Sequence, residues 1–413
     1  MRTNSSEIEG TWAASTNGLD EAVFSPSSTL PVGEVIHVEL NAGVEDTENN
    51  SLKPYAFSFT VKPVINEALV KTWVSKSAAE ANQWRSVTYG NGRFVAVALN
   101  GDHRVMYSDD GENWLTATAT EPNSWYSVTY GNGRFVAVAA NGINRAMYSD
   151  DGITWTASTG VEDNNWYSIV YGKGRFVAVA GSGTNRVMYS ENGINWTTTT
   201  APEVYTWQSV AYGNSRFVAV GLHGTKPFMY SDDGINWTAS SLTSSDAWIS
   251  LTYGNGRFVA VSATGMNRAL TSEDGIDWTS APSTPSNSWN AVTYGNGFYV
   301  ATATSAPNNL MYSKDGKSWT TWDAPSANSW SAVTYGKERF LAVSTNGTNQ
   351  VMVAQLQMEL VNNSPSANAT AIAVNANIVL TFDATLDNTT VNSTNIVVRG
   401  QQSGSIAGNN RVQ

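Results

Sequence analysis

The feature that most constrains the fold of this chain is a pair of tryptophan series that advance in steps of 41 residues. The first series is Trp84, Trp125, Trp166, Trp207, Trp248, Trp289 and Trp330. The second series is Trp73, Trp114, Trp155, Trp196, Trp237, Trp278 and Trp319. Fourteen of the sixteen tryptophans belong to these series, so one unit has been copied almost without insertion or deletion. A period of this length predicts a repeat architecture.

Each copy of the unit reads as four short strands. In the first copy these are Arg85–Tyr89, Arg93–Ala98, Arg104–Ser108 and Asn113–Thr118. A Gly-Asn-Gly hairpin signal separates the first two strands, and an Asp-Asp-Gly turn separates the last two. No stretch of the repeat has a helical period. Four antiparallel strands in roughly 40 residues predict an all-β chain that forms a β-propeller.

The incomplete seventh copy predicts how the ring closes. It begins at Trp330 but never reaches an acidic turn or a second-series tryptophan. The tryptophan that it lacks stands before the first copy, as Trp73. We therefore expect the segment around Lys71–Ser75 to supply the outer strand of the blade begun by residues 330–354, which removes the open edges of the ring. This gives a seven-bladed propeller over residues 67–357.

The turn Ser-Asp-Asp-Gly-x-x-Trp, with its variants SENG, SEDG and SKDG, resembles a shortened Asp-box, the hairpin of bacterial sialidases and related propellers. The usual motif has one more residue between the serine and the aromatic residue. The longer phrase YGNGRFVAVA…MYSDDGxxW is similar to a sialidase-like (Asp-box, or BNR-type) repeat of bacterial and phage surface proteins. The resemblance implies a propeller fold over about 290 residues and a structural role for the turn.

Both flanks resemble parts of a bacterial Ig-like domain of the SbsA S-layer type. Residues 22–63 match its second half, through a P-x-x-x-L-P-x-G turn and the strands IHVELNA and FSFTV, and residues 364–399 match its first half. The predicted division is 1–66, second half of an Ig-like domain; 67–357, propeller; and 358–413, first half of an Ig-like domain. Either the chain comes from a longer array, or the two halves dock as one permuted β-sandwich.

Comparison of the copies predicts an ion pair that recurs in five blades. An arginine opens the second strand at Arg93, Arg134, Arg175, Arg216 and Arg257, and an acid begins the turn at Asp109, Asp150, Glu191, Asp232 and Glu273. In the sixth copy both positions change together, to Phe298 and Lys314. Neighbouring antiparallel strands place the two positions side by side. We expect a bridge in blades one to five and none in blade six, each worth about 0–1 kcal/mol if exposed.

Composition excludes several classes of function. A net charge of −11 argues against binding to a nucleic-acid backbone. Without cysteine there is no thiolate metal site or disulfide, and no apolar run reaches the roughly 18 residues of a membrane span. A chain with 14% charged residues and many Asn, Ser, Thr and Gly is typical of secreted or surface-displayed bacterial proteins. The N-terminus has no signal peptide, so an export signal would lie elsewhere.

The repeated aromatic and charged residues favour structure over chemistry. The two tryptophan series are predicted to form core rather than sugar-stacking platforms. Arginines and acids spread blade by blade do not form the asymmetric set that a glycosidase requires. His37, His103 and His223 lack metal-ligand spacing, and Glu45–Asn50 is expected to be a turn rather than a calcium loop. We expect no cofactor, no metal and no catalytic residues.

The loops that break the repeat are the predicted site. The Gly-Asn-Gly and acidic turns share one rim and barely change, whereas the opposite rim carries loops that differ between copies. The candidate ligand-binding residues there are Glu162, Asp163, Tyr205, His223, Lys226, Asp246 and Trp322. The resulting prediction is a non-enzymatic binding or adhesion module, cell-surface or secreted, that engages a glycan or a protein. The alternatives are a sialidase-like hydrolase acting on glycans and an inert spacer in a longer surface protein.

Overall fold

The chain is a seven-bladed β-propeller in the computed structural model. The structure describes residues 72–354, apart from residues 223, 267 and 306, together with short strands in both flanks. Every regular element in these ranges is a β-strand. Seven four-stranded antiparallel sheets each place their first strand beside the first strands of both neighbouring sheets, so these strands surround a central channel. The predicted fold and number of blades are confirmed.

The strands recur in the same order in every blade. The first strands are Trp84–Gly90, Trp125–Gly131, Trp166–Gly172, Thr206–Gly213, Trp248–Gly254, Trp289–Gly295 and Trp330–Gly336. The second strands are Arg93–Ala98, Arg134–Ala139, Arg175–Ala180, Arg216–Leu222, Arg257–Ser262, Phe298–Ala303 and Arg339–Ser344. The third strands are Val105–Ser108, Ala146–Ser149, Val187–Ser190, Phe228–Ser231, Ala269–Ser272, Leu310–Ser313 and Val351–Ala354. The fourth strands of blades one to six are Leu115–Ala117, Thr156–Ala157, Thr197–Thr199, Thr238–Ala239, Thr279–Ser280 and Thr320–Trp322.

The fourth strand of blade seven comes from the other end of the propeller sequence. Trp73–Lys76 pairs antiparallel with Val351–Ala354, with Val74 opposite Val353. This confirms the predicted closure, with the strand lying one or two residues later than expected. An outer blade edge is thereby covered by a segment more than 270 residues away in sequence.

The hydrophobic core is divided among the junctions between blades. One cluster joins Trp125 and Phe135 of blade two to Val95 and Val97 of blade one, and corresponding clusters occupy the other junctions. All seven first-series tryptophans have no exposed surface. In the second series five residues are buried and Trp237 and Trp278 are partly buried. The tryptophans are therefore packing residues, as predicted.

Two kinds of turn connect the strands at one rim of the ring. The Gly-Asn-Gly hairpins place both central residues at positive φ, 49° at Asn91 and 77° at Gly92, which is the backbone of a type I′ turn. The acidic turns are called SDDG turns below. Each is closed by the side chain of the residue directly before its glycine, which is Asp151 in blade two and Asn192 in blade three. This SDDG rim lies opposite the variable rim, which carries the loops between second and third strands and the connectors between blades.

The predicted arginine–acid bridges are present in blades one to five. They are Arg93–Asp109 at 2.6 Å, Arg134–Asp150 at 2.6 Å, Arg175–Glu191 at 4.0 Å, Arg216–Asp232 at 2.7 Å and Arg257–Glu273 at 3.3 Å. In blade six Lys314 lies over the ring of Phe298, with Nζ 5.7 Å from the centroid.

The same arginines also join each blade to the next one. Arg93 Nη1 donates to the carbonyl of Asp151 in the SDDG turn of blade two (2.7 Å), and the pattern repeats around the ring. Blade seven has no SDDG turn, because its fourth strand is Trp73–Lys76. Blade six has Phe298 in place of this arginine, at the junction with the blade that lacks an SDDG turn. Arg339 of blade seven reaches the Asp110 carbonyl of blade one instead (3.2 Å).

The flanks contain short antiparallel hairpins. Gly10–Ala14 pairs with Ala22–Pro26, and Val35–Leu40 pairs with Tyr55–Thr60. Leu360–Ser364 pairs with Val379–Phe382, and Arg399–Gly400 pairs with Gly404–Ser405. The strands predicted from IHVELNA and FSFTV thus form one hairpin. The predicted turn at Glu45–Asn50 and the docking of the two halves lie outside the described residues.

Candidate functional site

The predicted ligand-binding residues lie on the variable rim, in four successive blades. Glu162 and Asp163 lie in the connector to blade three, and Tyr205 and Asp246 lie in the connectors to blades four and five. Lys226 lies in the loop between the second and third strands of blade four, and Trp322 ends the fourth strand of blade six. His223 lies outside the described residues. No hydrogen bond or ion pair joins any two of the six described candidates.

The two acids of the blade-three connector bind their own loops. Glu162 accepts hydrogen bonds from Asn185 Nδ2 (2.7 Å) and Thr198 Oγ1 (2.8 Å), so its carboxylate fastens the loop that follows the second strand. Asp163 is exposed and forms an ion pair with Arg145 of blade two. Their carboxylates are consequently shared with the scaffold.

Tyr205 and Asp246 replace an asparagine that the other five blades keep. That asparagine lies two residues before each first-series tryptophan, as Asn82, Asn123, Asn164, Asn287 and Asn328. In blade three, for example, Asn164 Nδ2 donates to the carbonyl of Asn185 and so holds the variable loop. Tyr205 instead packs against Trp207, with ring centroids 5.8 Å apart, and its hydroxyl lies 3.3 Å from Thr225 Oγ1. These substitutions alter how two neighbouring loops are held.

Apolar side chains are concentrated on the same rim. Met266 is 98% exposed and Ile143 is 87% exposed, both in loops between second and third strands. Val204 is 77% exposed in the connector to blade four, and Trp322 is 42% exposed. Among the described residues only Leu115 and Ile153 are also large, apolar and exposed, and both lie at or beside SDDG turns. The variable rim thus presents four large apolar side chains to solvent.

A ring of seven positions around the central channel, at the end of the first strands nearest the variable rim, was missed in the sequence. Every first strand has a β-bulge directly after its first-series tryptophan, which re-aims the following residue. The residues at the bulge, here called the channel ring, are Arg85, Tyr126, Tyr167, Gln208, Ile249, Asn290 and Ser331. Almost every copy differs at this position, although the tryptophan before it is constant. This variation directly after a constant residue is the signal that could have identified the ring from the sequence.

Five successive members of the channel ring, from Asn290 through Ser331 and Arg85 to Tyr167, contact one another. The Arg85 guanidinium lies over the Tyr126 ring, 5.3 Å from its centroid, and the Tyr126 and Tyr167 rings are 4.7 Å apart. Arg85 Nη1 donates to the Ser331 carbonyl (3.3 Å), which also accepts from Asn290 Nδ2 (3.4 Å). Burial lowers the pKa of Arg85. The ring therefore has one cationic and aromatic side, and it lies at the variable rim.

A bonded framework around the channel supports the ring. In five blades the serine two residues after the tryptophan accepts from the backbone of the next first strand, as when Ser86 Oγ accepts from the Val128 N–H (3.2 Å). At the closure, Ser331 Oγ donates to the Trp84 carbonyl (2.5 Å). Beside Tyr167 the chain has a glycine, Gly181, and a Cβ at that position would collide with the Tyr167 ring. The ring members are thus held by rigid first strands.

One cleft lies away from these residues, on the SDDG rim. It has a volume of about 350 Å³ between the turns of blades five and six and is lined by Arg257, Glu273, Asp274, Asp277 and Lys317. The acids and arginine among these have turn-building counterparts in other blades. Within the described part of the chain, no group of histidine and acidic side chains is arranged to hold a metal ion, and no helix could span a membrane.

Comparison with known proteins identifies the C-terminal segment and confirms the propeller. Residues 354–412 match the model of a bacterial Ig-like domain, so the C-terminal end carries a domain of that family. No curated protein matches the chain. The N-terminal Ig-like half and the SbsA type stay predictions, as do the Asp-box identity of the turn and the domain limits.

Solved structures share the fold at low sequence identity. The chain is similar to YCF48 bound to a D1 peptide, with 14% identity, a TM-score of 0.55, and coverage of 69% of this chain and 97% of that chain. For YCF48 from Cyanidioschyzon merolae the values are 14%, 0.52, 68% and 97%. The extracellular domain of the putative one-component system BT4673 from B. thetaiotaomicron gives 10%, 0.53 and 71%, and the match covers 41% of that chain. These similarities establish the architecture alone.

Proposed function

We propose that this chain is a non-enzymatic binding module of a bacterial surface or secreted protein, and that the variable rim engages a protein partner. The observation that carries the proposal is the asymmetry between the rims. The SDDG rim repeats one set of turns, whereas the variable rim combines the channel ring with four exposed apolar side chains. Variable loops on a rigid scaffold are where binding is usually found.

The exposed apolar residues favour a protein over a glycan. Met266, Ile143, Val204 and Trp322 come from different blades, so they form a broad surface rather than a narrow sugar subsite. Methionine and aromatic residues are enriched at protein interfaces. The solved complex of YCF48 with a D1 peptide supports the choice, because that propeller has the same architecture and binds a polypeptide segment.

The domain that follows the propeller and one similar solved structure both favour an extracellular location. The C-terminal segment is a bacterial Ig-like domain, and one structural neighbour is an extracellular domain. A low content of charged residues agrees with this location. The candidate carboxylates Glu162 and Asp163 are bonded to the scaffold, so no catalytic step is assigned to them.

A binding screen with matched variants tests the proposal. The full chain is screened against immobilised bacterial and host surface proteins and against a glycan array. Ile143→Ser/Met266→Ser on the variable rim should reduce capture of the protein partner at least about tenfold, because burying such side chains contributes about 1.5–3 kcal/mol each. Leu115→Ser/Ile153→Ser, near the SDDG turns, should leave capture unchanged.

Three results would contradict the proposal. Equal loss in both double variants would place binding elsewhere on the molecule. Turnover of a glycan that is abolished by Glu162→Gln or Asp163→Asn would establish the sialidase-like hydrolase instead. Absence of any captured protein or glycan would favour the inert spacer.

A further inference from the structure

Arg85 carries a charge without a counter-ion in the channel ring. Among the described residues its contacts are the Ser331 carbonyl and the Tyr126 ring, and no carboxylate lies within ion-pair distance. The other six ring members are all uncharged. An arginine stays protonated even where burial opposes it, and a charge withdrawn from water is costly unless it is paired. The ring is therefore suited to accept one negative charge.

The free part of the Arg85 guanidinium has the geometry of a carboxylate receptor. Nη1 is engaged by the Ser331 carbonyl, whereas Nε and Nη2 have no protein acceptor in the described structure. Two parallel N–H groups of this kind bind a carboxylate in a bidentate manner. The guanidinium also lies over Tyr126, which in turn packs on Tyr167, so the fork is placed beside an aromatic pair.

The remaining ring members complement a peptide group and a side chain. Gln208 and Asn290 are amides, which can both donate and accept hydrogen bonds, and Ile249 is apolar. The last residue of a polypeptide presents a carboxylate at its tip and an amide group directly behind it. The seven first strands close around the ring, so a chain end can enter where an internal segment would have to turn back.

We propose that the channel ring binds the C-terminal carboxylate of a polypeptide through Arg85, with Tyr126 and Tyr167 beside it and with Gln208 and Asn290 contacting the last peptide group. This inference rests on the proposed protein-binding function and names the part of the partner that enters the propeller. It adds a polar anchor at the centre of a surface whose apolar contacts come from the variable loops.

Short peptides with and without a terminal charge test the inference. The probes are N-acetylated Ala-Ala-Xaa tripeptides, with alanine, leucine, phenylalanine, lysine or glutamate at the last position. Each is prepared as the free acid and as the C-terminal amide, and binding to the full chain is measured by calorimetry at low salt. The best free acid should bind about tenfold or more tightly than its amide, because hydrogen bonds to charged groups are the strong ones.

Matched variants locate the effect. Arg85→Met should abolish the difference between acid and amide, and Arg85→Lys should retain only part of it because lysine lacks the planar fork. Arg134→Met removes a cation on the SDDG rim and should leave the difference intact. Thermal unfolding of each variant confirms that the propeller is folded before binding is compared.

Several outcomes would overturn the inference. They are equal affinity for acid and amide, a difference that survives Arg85→Met in the folded protein, and Arg85-dependent binding of glucuronate or inorganic phosphate with no binding of the peptides. If no tripeptide binds but the Ile143→Ser/Met266→Ser variant still loses capture of its protein partner, the inference about the channel ring is rejected and the proposed function is retained. Arg85-dependent peptide binding without any rim-dependent capture would support the ring and reject the broader surface.

Discussion

At the scale of single residues, the side chain directly before the glycine holds each SDDG turn through several hydrogen bonds. In blade two, Asp151 Oδ1 accepts from the backbone N–H groups of Ile153 and Thr154 and from the Ser149 hydroxyl, each at 2.8 Å. Burial raises the pKa of Asp151, but these hydrogen bonds outweigh it and hold the pKa below its ordinary value. Blade three makes the same contacts with the neutral Asn192. The geometry of the turn therefore does not require a charge. Only a turn with the carboxylate should make the stability of the fold depend on pH.

This contrast predicts the effects of two substitutions at one position. Asp151→Ala leaves two backbone N–H groups without their acceptor and should cost about 0.5–2 kcal/mol, as the loss of a helix cap does. Asp151→Asn should cost much less near pH 7, because Asn192 shows that an amide fits. Chemical denaturation of the two variants at pH 7 measures the difference, and equal losses would contradict the account.

The pH dependence follows from the direction of the shift. A carboxylate whose pKa is lower in the folded state stabilises the fold fully above its unfolded pKa of about 3.9, and this contribution disappears as the pH falls further. Asp151→Asn should therefore flatten the loss of stability below about pH 4, and Asn192→Asp should steepen it. Denaturation curves between pH 2 and 7 test both signs, and identical pH profiles for the three proteins would refute the role of the charge.

At the scale of elements, the closing strand is held by charge as well as by backbone pairing. Glu112 of blade one binds Lys76 of the closing strand (2.7 Å) and Arg339 of blade seven (3.2 Å). The hydrogen bond from Lys76 is the main reason that the pKa of Glu112 is lowered. The corresponding position in blades two to five is isoleucine, and in blade six it is Lys317. This glutamate thus occurs only where the ring is joined.

Neutralising Glu112 should loosen the closure selectively. Glu112→Gln weakens two partly exposed ion pairs and should cost about 0.5–2 kcal/mol in total. Hydrogen exchange in Trp73–Lys76 and Val351–Ala354 should accelerate, because the closing strand then opens more often. Glu273→Gln makes the same chemical change at the Arg257 bridge of blade five and should leave exchange in these two strands unchanged. Equal acceleration by both variants would show that Glu112 has no special part in the closure.

The elements also show what could be predicted from the sequence. Strand order, turn positions and the swap of Trp73 follow from periodicity, because each copy repeats the same local chemistry. The reach of Arg93 to the next blade could not be read from one copy, since it depends on how neighbouring sheets stack. Phe298 replaces the corresponding arginine of blade six, and the structure places it beside blade seven, the blade that lacks an SDDG turn.

At the scale of the whole molecule, the candidate site was only partly predictable. The variable rim was identified because its loops break the repeat, and Trp322 is exposed there as expected. The roles of Glu162 and Asp163 as scaffold acceptors depend on side-chain contacts that sequence differences do not reveal. Arg85 was missed because it follows a constant tryptophan, and only the β-bulge makes that position part of the channel.

The distribution of the core predicts that the propeller is an autonomous unit. Each of the seven hydrophobic clusters lies between adjacent blades, and the members of these clusters that the structure describes fall between Trp73 and Ala354. Residues 67–357 expressed alone should therefore form a monomer whose thermal midpoint lies within about 2 °C of the propeller transition in the full chain, which corresponds to about 1 kcal/mol. Calorimetry of both proteins makes the comparison, and an unfolded or strongly destabilised fragment would show that the flanks are part of the structural unit.

A fragment shortened to residues 77–357 is the matched test, because it removes only the closing strand. It loses the buried Trp73, a change that costs about 3–5 kcal/mol in a core, and it leaves Glu112 without Lys76. Val351–Ala354 then becomes an unpaired edge that can pair with another molecule. We expect a lower thermal midpoint and concentration-dependent oligomers by light scattering. If this fragment were as stable and as monomeric as residues 67–357, the backbone pairing seen at the closure would contribute little, and the ring would be held by its inter-blade cores alone.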